Sequence, residues 1–133
     1  MPHLKIEYTA NLEARADMGT LCKVLANLLI QLKDEQDQPV FPVGGTRVLA
    51  YPAPCWAVAD GNPDSAFVYL NLRIATGRSD ATKKAAGDAL MARTKTHFES
   101  IFSQASMGIT LQIDEGVQVY EAKHSNLHSR TGK

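Results

Sequence analysis

The chain has 133 residues, enough for one domain that buries its own core. Its 14 basic and 14 acidic side chains cancel, so no global field draws it to phosphate backbones or anionic surfaces, and nucleic acid is not an expected partner. The start Met1-Pro2-His3-Leu4-Lys5 lacks a charged segment followed by an apolar one, and the densest apolar stretch, residues 24–30, is too short to span a bilayer; a cytoplasmic protein with no membrane partner is expected.

Residues 3–8 alternate polar and apolar with period two, the pattern of a half-buried strand, closed by Thr9-Ala10-Asn11. Asp17 is a candidate N-cap, and Leu21, Val24, Leu25, Leu28, Leu29 and Leu32 share one face of a helix that stops at Lys33. A polar run over 34–38 leads into Pro39-Val40-Phe41-Pro42-Val43-Gly44-Gly45, whose prolines and glycines disfavour regular structure and specify a defined loop. Residues 47–51 read as a strand, Pro52 and Pro54 bracket a break, a short extended piece covers 55–59, and Asp60-Gly61-Asn62-Pro63 is a turn signal.

The second half repeats the plan. Residues 66–74 form a strand with Ala66, Val68, Leu70, Leu72 and Ile74 on one face and Phe67, Tyr69, Asn71 and Arg73 on the other. Thr76-Gly77-Arg78-Ser79 turns the chain, and Ser79 caps a helix expected to reach about Gln104, with Ala85, Leu90, Phe98, Ile101 and Phe102 near its inner face. Met107-Gly108 ends it, Ile109, Leu111 and Ile113 mark a further strand, and the rest is a polar tail. The pattern is a single domain over 1–133, an α+β fold made of a tandem β-α-β repeat: one unit over about 2–60, a second over about 64–115, and a tail over 116–133. Crossovers of this length make parallel strand pairs in one sheet with both helices on a single face. The sheet's other face then needs a cover, which we expect from other subunits, with an apolar sheet face buried between them.

Pro2 carries the first chemistry. With Met1 removed, it is a rigid secondary amine at the head of a strand; an α-amino group titrates at about 7.7–8.0, and burial lowers that value, so the nitrogen can act as a base at neutral pH. Arg47, at the mouth of a strand after a constrained loop, and Arg78, between a strand end and a helix start, stand where α/β sheets place ligands, and each presents the planar fork that holds a carboxylate. Taken singly, each also reads as a solvated or salt-bridged side chain. Phe41, Trp56, Phe67 and Tyr69 are candidates to wall an apolar pocket around the amine, or to fill a core. His3 stands beside Pro2, His97 near the apolar face of the long helix, and His124 and His128 in the tail, with no metal-ligand spacing among them. Cys22 and Cys55 read as packing thiols, no nucleophile motif such as GxSxG occurs, and Gly44-Gly45 falls short of a dinucleotide fingerprint.

Together Met1-Pro2-His3, Phe41-Pro42, Gly45-Thr46-Arg47, Trp56, Ala59-Asp60-Gly61, Ala66-Phe67-Val68, Gly77-Arg78-Ser79, Thr96-His97-Phe98 and Lys123 with Asn126-Leu127-His128 resemble the tautomerase superfamily, and within it the 5-carboxymethyl-2-hydroxymuconate isomerase family. The resemblance spans nearly the whole chain. It implies a β-α-β tandem assembled as a homotrimer, an isomerase of aromatic-compound catabolism that interconverts keto and enol groups, and no metal or organic cofactor. It further implies a small unsaturated dicarboxylate or oxo acid as substrate, Pro2 as the proton-transfer group, and Arg47 and Arg78 as the groups that bind and polarise it. The chain departs from the family at Leu49, where a second basic residue follows the first arginine by two positions, and in the loop Tyr51-Pro52-Ala53-Pro54. Two other readings stay open at this point. One is a different reaction of the same amine, such as hydration, decarboxylation or dehalogenation of an unsaturated acid; the other is a non-catalytic trimeric binder of small organic acids.

Overall fold

In the computed structural model, which describes residues 2–131, β1 (His3–Thr9) lies between β2 (Arg47–Ala53) and β3 (Ala66–Ile74), and β4 (Met107–Glu115) completes a four-stranded sheet of order β2-β1-β3-β4. β1 pairs parallel with β2, and β3 parallel with β4, as two crossover units require; the units meet through the antiparallel pair β1 and β3. The crossovers carry α1 (Met18–Gln31) and α2 (Asp80–His97); a single turn, α3 (Glu99–Phe102), follows α2, and α4 (Leu127–Thr131) closes the tail. No helix is long and apolar enough to cross a membrane among the described residues.

Strand alternation builds the core. Leu4, Ile6 and Tyr8 of β1 and Ala66, Val68, Leu70, Leu72 and Ile74 of β3 are buried under the helices, joined by Leu21, Leu25 and Leu29 of α1 at helical spacing. Removing the side chain beyond Cβ at any of these leucines is expected to cost about 2–5 kcal/mol. Asp17 caps α1, its carboxylate accepting the Thr20 N–H at 3.2 Å and the Thr20 hydroxyl at 2.7 Å.

Several boundaries differ from the sequence reading. β2 runs on through Pro52 to Ala53, which is possible because β2 is an edge strand and a missing N–H there breaks no central ladder. No strand forms over 55–59. The buried stripe of α2 is Thr82, Ala86, Leu90 and Thr94, not one through Ala85, which is exposed. The helix ends at His97 rather than near Gln104; the bend at Phe98 turns Phe98 and Ile101 into the core and leaves Phe102 58% exposed. β4 begins at Met107, two residues earlier than the alternating apolar residues suggest.

The uncovered face of the sheet is not apolar. Lys5, Glu7, Tyr69, Asn71, Arg73, Thr110, Gln112 and Asp114 occupy it beside Leu49, Tyr51 and Phe67. Polar pairs cross it: the Tyr69 hydroxyl donates to Gln112 Oε1 at 2.5 Å and Asn71 Nδ2 to Asp114 Oδ2 at 2.8 Å. The expectation of an apolar sheet face is therefore corrected to a mixed polar and apolar one, because the alternating apolar residues of β1 and β3 face the two helices.

Candidate active site

Pro2 is buried at the head of β1, and its carbonyl accepts the Arg47 N–H at 3.2 Å, which fixes the start of β1 against the start of β2. Because β3 runs antiparallel to β1, its far end closes the other side, with Arg73 opposite His3. Met1, whose removal would expose the amine, lies outside the described residues. Both candidate arginines stand at this end of the sheet, but in different settings.

Arg47 is exposed at the first position of β2, and its Nε donates to His3 Nδ1 at 3.4 Å. Burial, then the positive charges of Arg47 and Lys5, lower the His3 pKa, so a neutral, accepting imidazole is favoured there. Arg47 lines a cleft of about 230 Å³ together with His3, Arg73, Gln118, Glu121 and Lys123.

Arg78 is held. Its Nη2 donates to the Val40 carbonyl at 3.1 Å and Nη1 to the Ala75 carbonyl at 3.3 Å, and the guanidinium lies 4.7 Å from the centroid of the Phe41 ring. Burial lowers its pKa while the Glu115 carboxylate opposes the shift; a guanidinium stays charged at any working pH. The loop that supplies Val40 is itself braced. Asp34 Oδ1 accepts the N–H groups of Gln36 and Gln38, each at 2.9 Å, and Glu35 accepts the Thr82 hydroxyl at 2.6 Å and the Ser79 hydroxyl at 2.8 Å. Those two bonds, Thr82 first, hold the Glu35 carboxyl below its ordinary pKa. Arg78 borders a second cleft, of about 310 Å³, with Glu35, Gly77, Ser79 and Thr82.

The structure thus brings Pro2, Arg47 and Arg78 to one end of the sheet and parts Phe41 from Phe67 and Trp56. Phe41 is buried, with its ring face committed to Arg78. Phe67 and Trp56 stand at the opposite end: the Phe67 N–H donates to Thr9 Oγ1 at 3.1 Å, and Trp56 follows the end of β2. At about 3.3 Å per residue, the length of β1 puts that end roughly 20 Å from Pro2 within the chain. His97 is tied elsewhere, its Nε2 against the Ala16 carbonyl and its ring edge-on to Phe98. Both cysteines are free thiols, Cys22 half-buried and Cys55 exposed. Among the described residues no group of three or more His, Cys, Asp or Glu could hold a metal ion.

Sequence reasoning left Glu35 in a polar run and the 116–131 segment as tail. The tail in fact folds back on its own chain: α4 packs on the turn Val43–Gly45 that precedes Arg47, and Gln118, Glu121 and Lys123 line the Arg47 cleft. Gly44 is a sequence signal for this docking. A Cβ there would lie 2.8 Å from His128 Nδ1 and 2.9 Å from His128 Cα, so glycine permits the close approach.

Comparison with known proteins agrees with this architecture. A model of the 5-carboxymethyl-2-hydroxymuconate isomerase family matches residues 2–131. The chain is similar to the 5-carboxymethyl-2-hydroxymuconate Delta-isomerase of Escherichia coli, with 30% identity over 130 residues, 97% of this chain and 98% of that protein. It is similar to the crystal structure of a 5-carboxymethyl-2-hydroxymuconate delta-isomerase at 43% identity and a TM-score of 0.94, covering 100% of this chain and 94% of that one. A 5-carboxymethyl-2-hydroxymuconate isomerase from Deinococcus radiodurans R1 is 38% identical with a TM-score of 0.86, over 99% of this chain and 95% of that one.

Proposed function

We infer the chemistry from one premise: the chain belongs to the 5-carboxymethyl-2-hydroxymuconate isomerase family. It is an isomerase, and the reading offered for its mechanism is proton transfer by the Pro2 amine within an unsaturated 2-hydroxy or 2-oxo carboxylic acid such as 5-carboxymethyl-2-hydroxymuconate. The observation that carries this reading is the burial of Pro2 at the head of β1, with Arg47 beginning the strand on one side and Arg78 bonded just beyond the strand on the other.

In this mechanism Met1 is absent and Pro2 begins the chain. The substrate carboxylate and 2-oxygen bind the arginines; the Pro2 nitrogen accepts the proton of the dienol hydroxyl, the 2-oxygen becomes the carbonyl, and the same nitrogen returns the proton to a carbon further along the conjugated system. Atoms and electrons balance with one proton moved. Charge on the 2-oxygen grows in the transition state, where a guanidinium out of bulk water stabilises it most. Burial and the neighbouring guanidinium groups favour the unprotonated amine, so turnover should rise with pH through an ionisation near or below neutrality. A homotrimer, with the mixed polar and apolar open face of the sheet turned to neighbouring subunits, is part of the proposal. Phe67 and Trp56, distant from Pro2 in their own chain, would then meet substrate only across a subunit boundary.

The decisive experiment places a non-cleavable residue before Pro2, which turns the amine into an amide that cannot act as a base. Loss of turnover with unchanged sedimentation is expected. Full isomerase activity in the extended protein would falsify the mechanism.

A further inference from the structure

The tail adds charges to the Arg47 cleft that the proposed proton transfer does not use. Arg47 and Arg73 are the register partners of His3 on its two sides, so all three side chains share the open face in a row across three strands. With neighbouring strands about 4.8 Å apart, the two arginine backbones stand roughly 10 Å from each other. The chain leaves β4 at Glu115 and passes Arg73 at Gly116, where a Cβ would lie 3.2 Å from Arg73 Nη2; it ends on the turn before β2. The sheet order is β2-β1-β3-β4, so the segment between crosses the ends of β3 and β1 and carries Lys123 over the row.

We propose that Lys123 and Arg73 bind a carboxylate of the substrate remote from the carboxylate and 2-oxygen held at Arg47, and so favour substrates with more than one carboxylate. The inference rests on the reading that Pro2 and Arg47 hold the reacting end. Among the described residues the cleft is lined by the cations Arg47, Arg73 and Lys123 and by the carboxylate of Glu121, whose contact with Lys123 is 3.4 Å between side chains each 49% exposed. Such an exposed pair contributes little. Asp114, in register with Arg73, already accepts a hydrogen bond from Asn71 Nδ2. A volume of about 230 Å³ suits a small organic anion.

The test compares 2-hydroxymuconate with 2-hydroxypenta-2,4-dienoate, which lacks the remote carboxylate, as substrates of wild type, Lys123→Gln, Lys123→Arg and Arg73→Gln. Lys123→Gln and Arg73→Gln should each raise KM for the dicarboxylate about tenfold with kcat within about twofold, leave KM for the monocarboxylate within about twofold, and keep the wild-type Tm; Lys123→Arg should restore the wild-type KM. Equal effects on both substrates, or none on either, would overturn the proposal. Arg47→Ala separates the two readings: it should weaken turnover of both substrates. If it leaves both intact, the assignment of the reacting end fails. If it weakens both while the Lys123 and Arg73 variants do not discriminate between them, only the remote carboxylate site fails.

Discussion

Arg47 and Arg78 occupy comparable places, each at the mouth of an element that follows a turn, yet the fold treats them differently. Arg47 is exposed, donates from its side chain to the His3 imidazole at 3.4 Å, and faces a cleft. Arg78 is half-buried, tied to the Val40 and Ala75 carbonyls and laid on the Phe41 ring. One guanidinium can follow the charge of a ligand; the other presents a fixed, partly desolvated field and also joins the loop before β2 to the end of β3. The same residue type at similar sequence positions is thus left open to solvent in one place and built into the architecture in the other.

The sharpest way to break this comparison is Arg78→Ala. We expect kcat to fall by about two to three decades, from the loss of a charge-assisted interaction worth about 2–4 kcal/mol in the transition state. Thermal unfolding should also show a loss of roughly 1–3 kcal/mol, as the carbonyls of Val40 and Ala75 lose their donor. Arg47→Ala should bring a fall of about two decades in kcat/KM with stability within about 0.5 kcal/mol of wild type, measured in the same two assays. Equal Tm losses in the two variants would erase the distinction.

Gly44→Ala probes the tail from its anchor. The added methyl collides with His128, so the segment should lift from the turn, and protease cleavage within 116–131 should accelerate several-fold while the core stays folded. The smallest effect belongs to Glu35→Gln. The Glu35 carboxyl is held below its ordinary pKa, so its contribution is present above the ordinary glutamate range and lost as pH falls through the folded-state value. The variant should therefore be less stable than wild type at neutral pH, and the Tm gap should close on acidification; a gap that persists in acid would remove the clamp from the account of Arg78.

Much of the framework was legible because it is written in local periodicity. Period-two alternation placed β1 and β3, helical spacing placed α1, the Asp17 and Ser79 caps marked both helix starts, and crossover length implied the parallel pairs. The alternation also put Pro2 at a strand head. Where local signals were sparse they misled: α2 has few large apolar residues, and the side that faces the core was decided by packing with α1 and β4.

What sequence alone determined, then, is the order of elements and the chemical kinds of residue at their ends, since both follow from interactions among near neighbours in the chain. Tertiary structure decided which of those residues meet. Antiparallel pairing of β1 with β3 brings Arg73 to His3 and carries Phe67 and Trp56 to the far end from Pro2, while the return of the tail across the sheet end brings Lys123 to Arg47. The mixed polarity of the open face was settled in the same way, once the helices had taken the alternating apolar residues of β1 and β3. Such contacts join residues dozens of positions apart, and their free energy comes from burial and pairing across the sheet, for which no local pattern exists to be read.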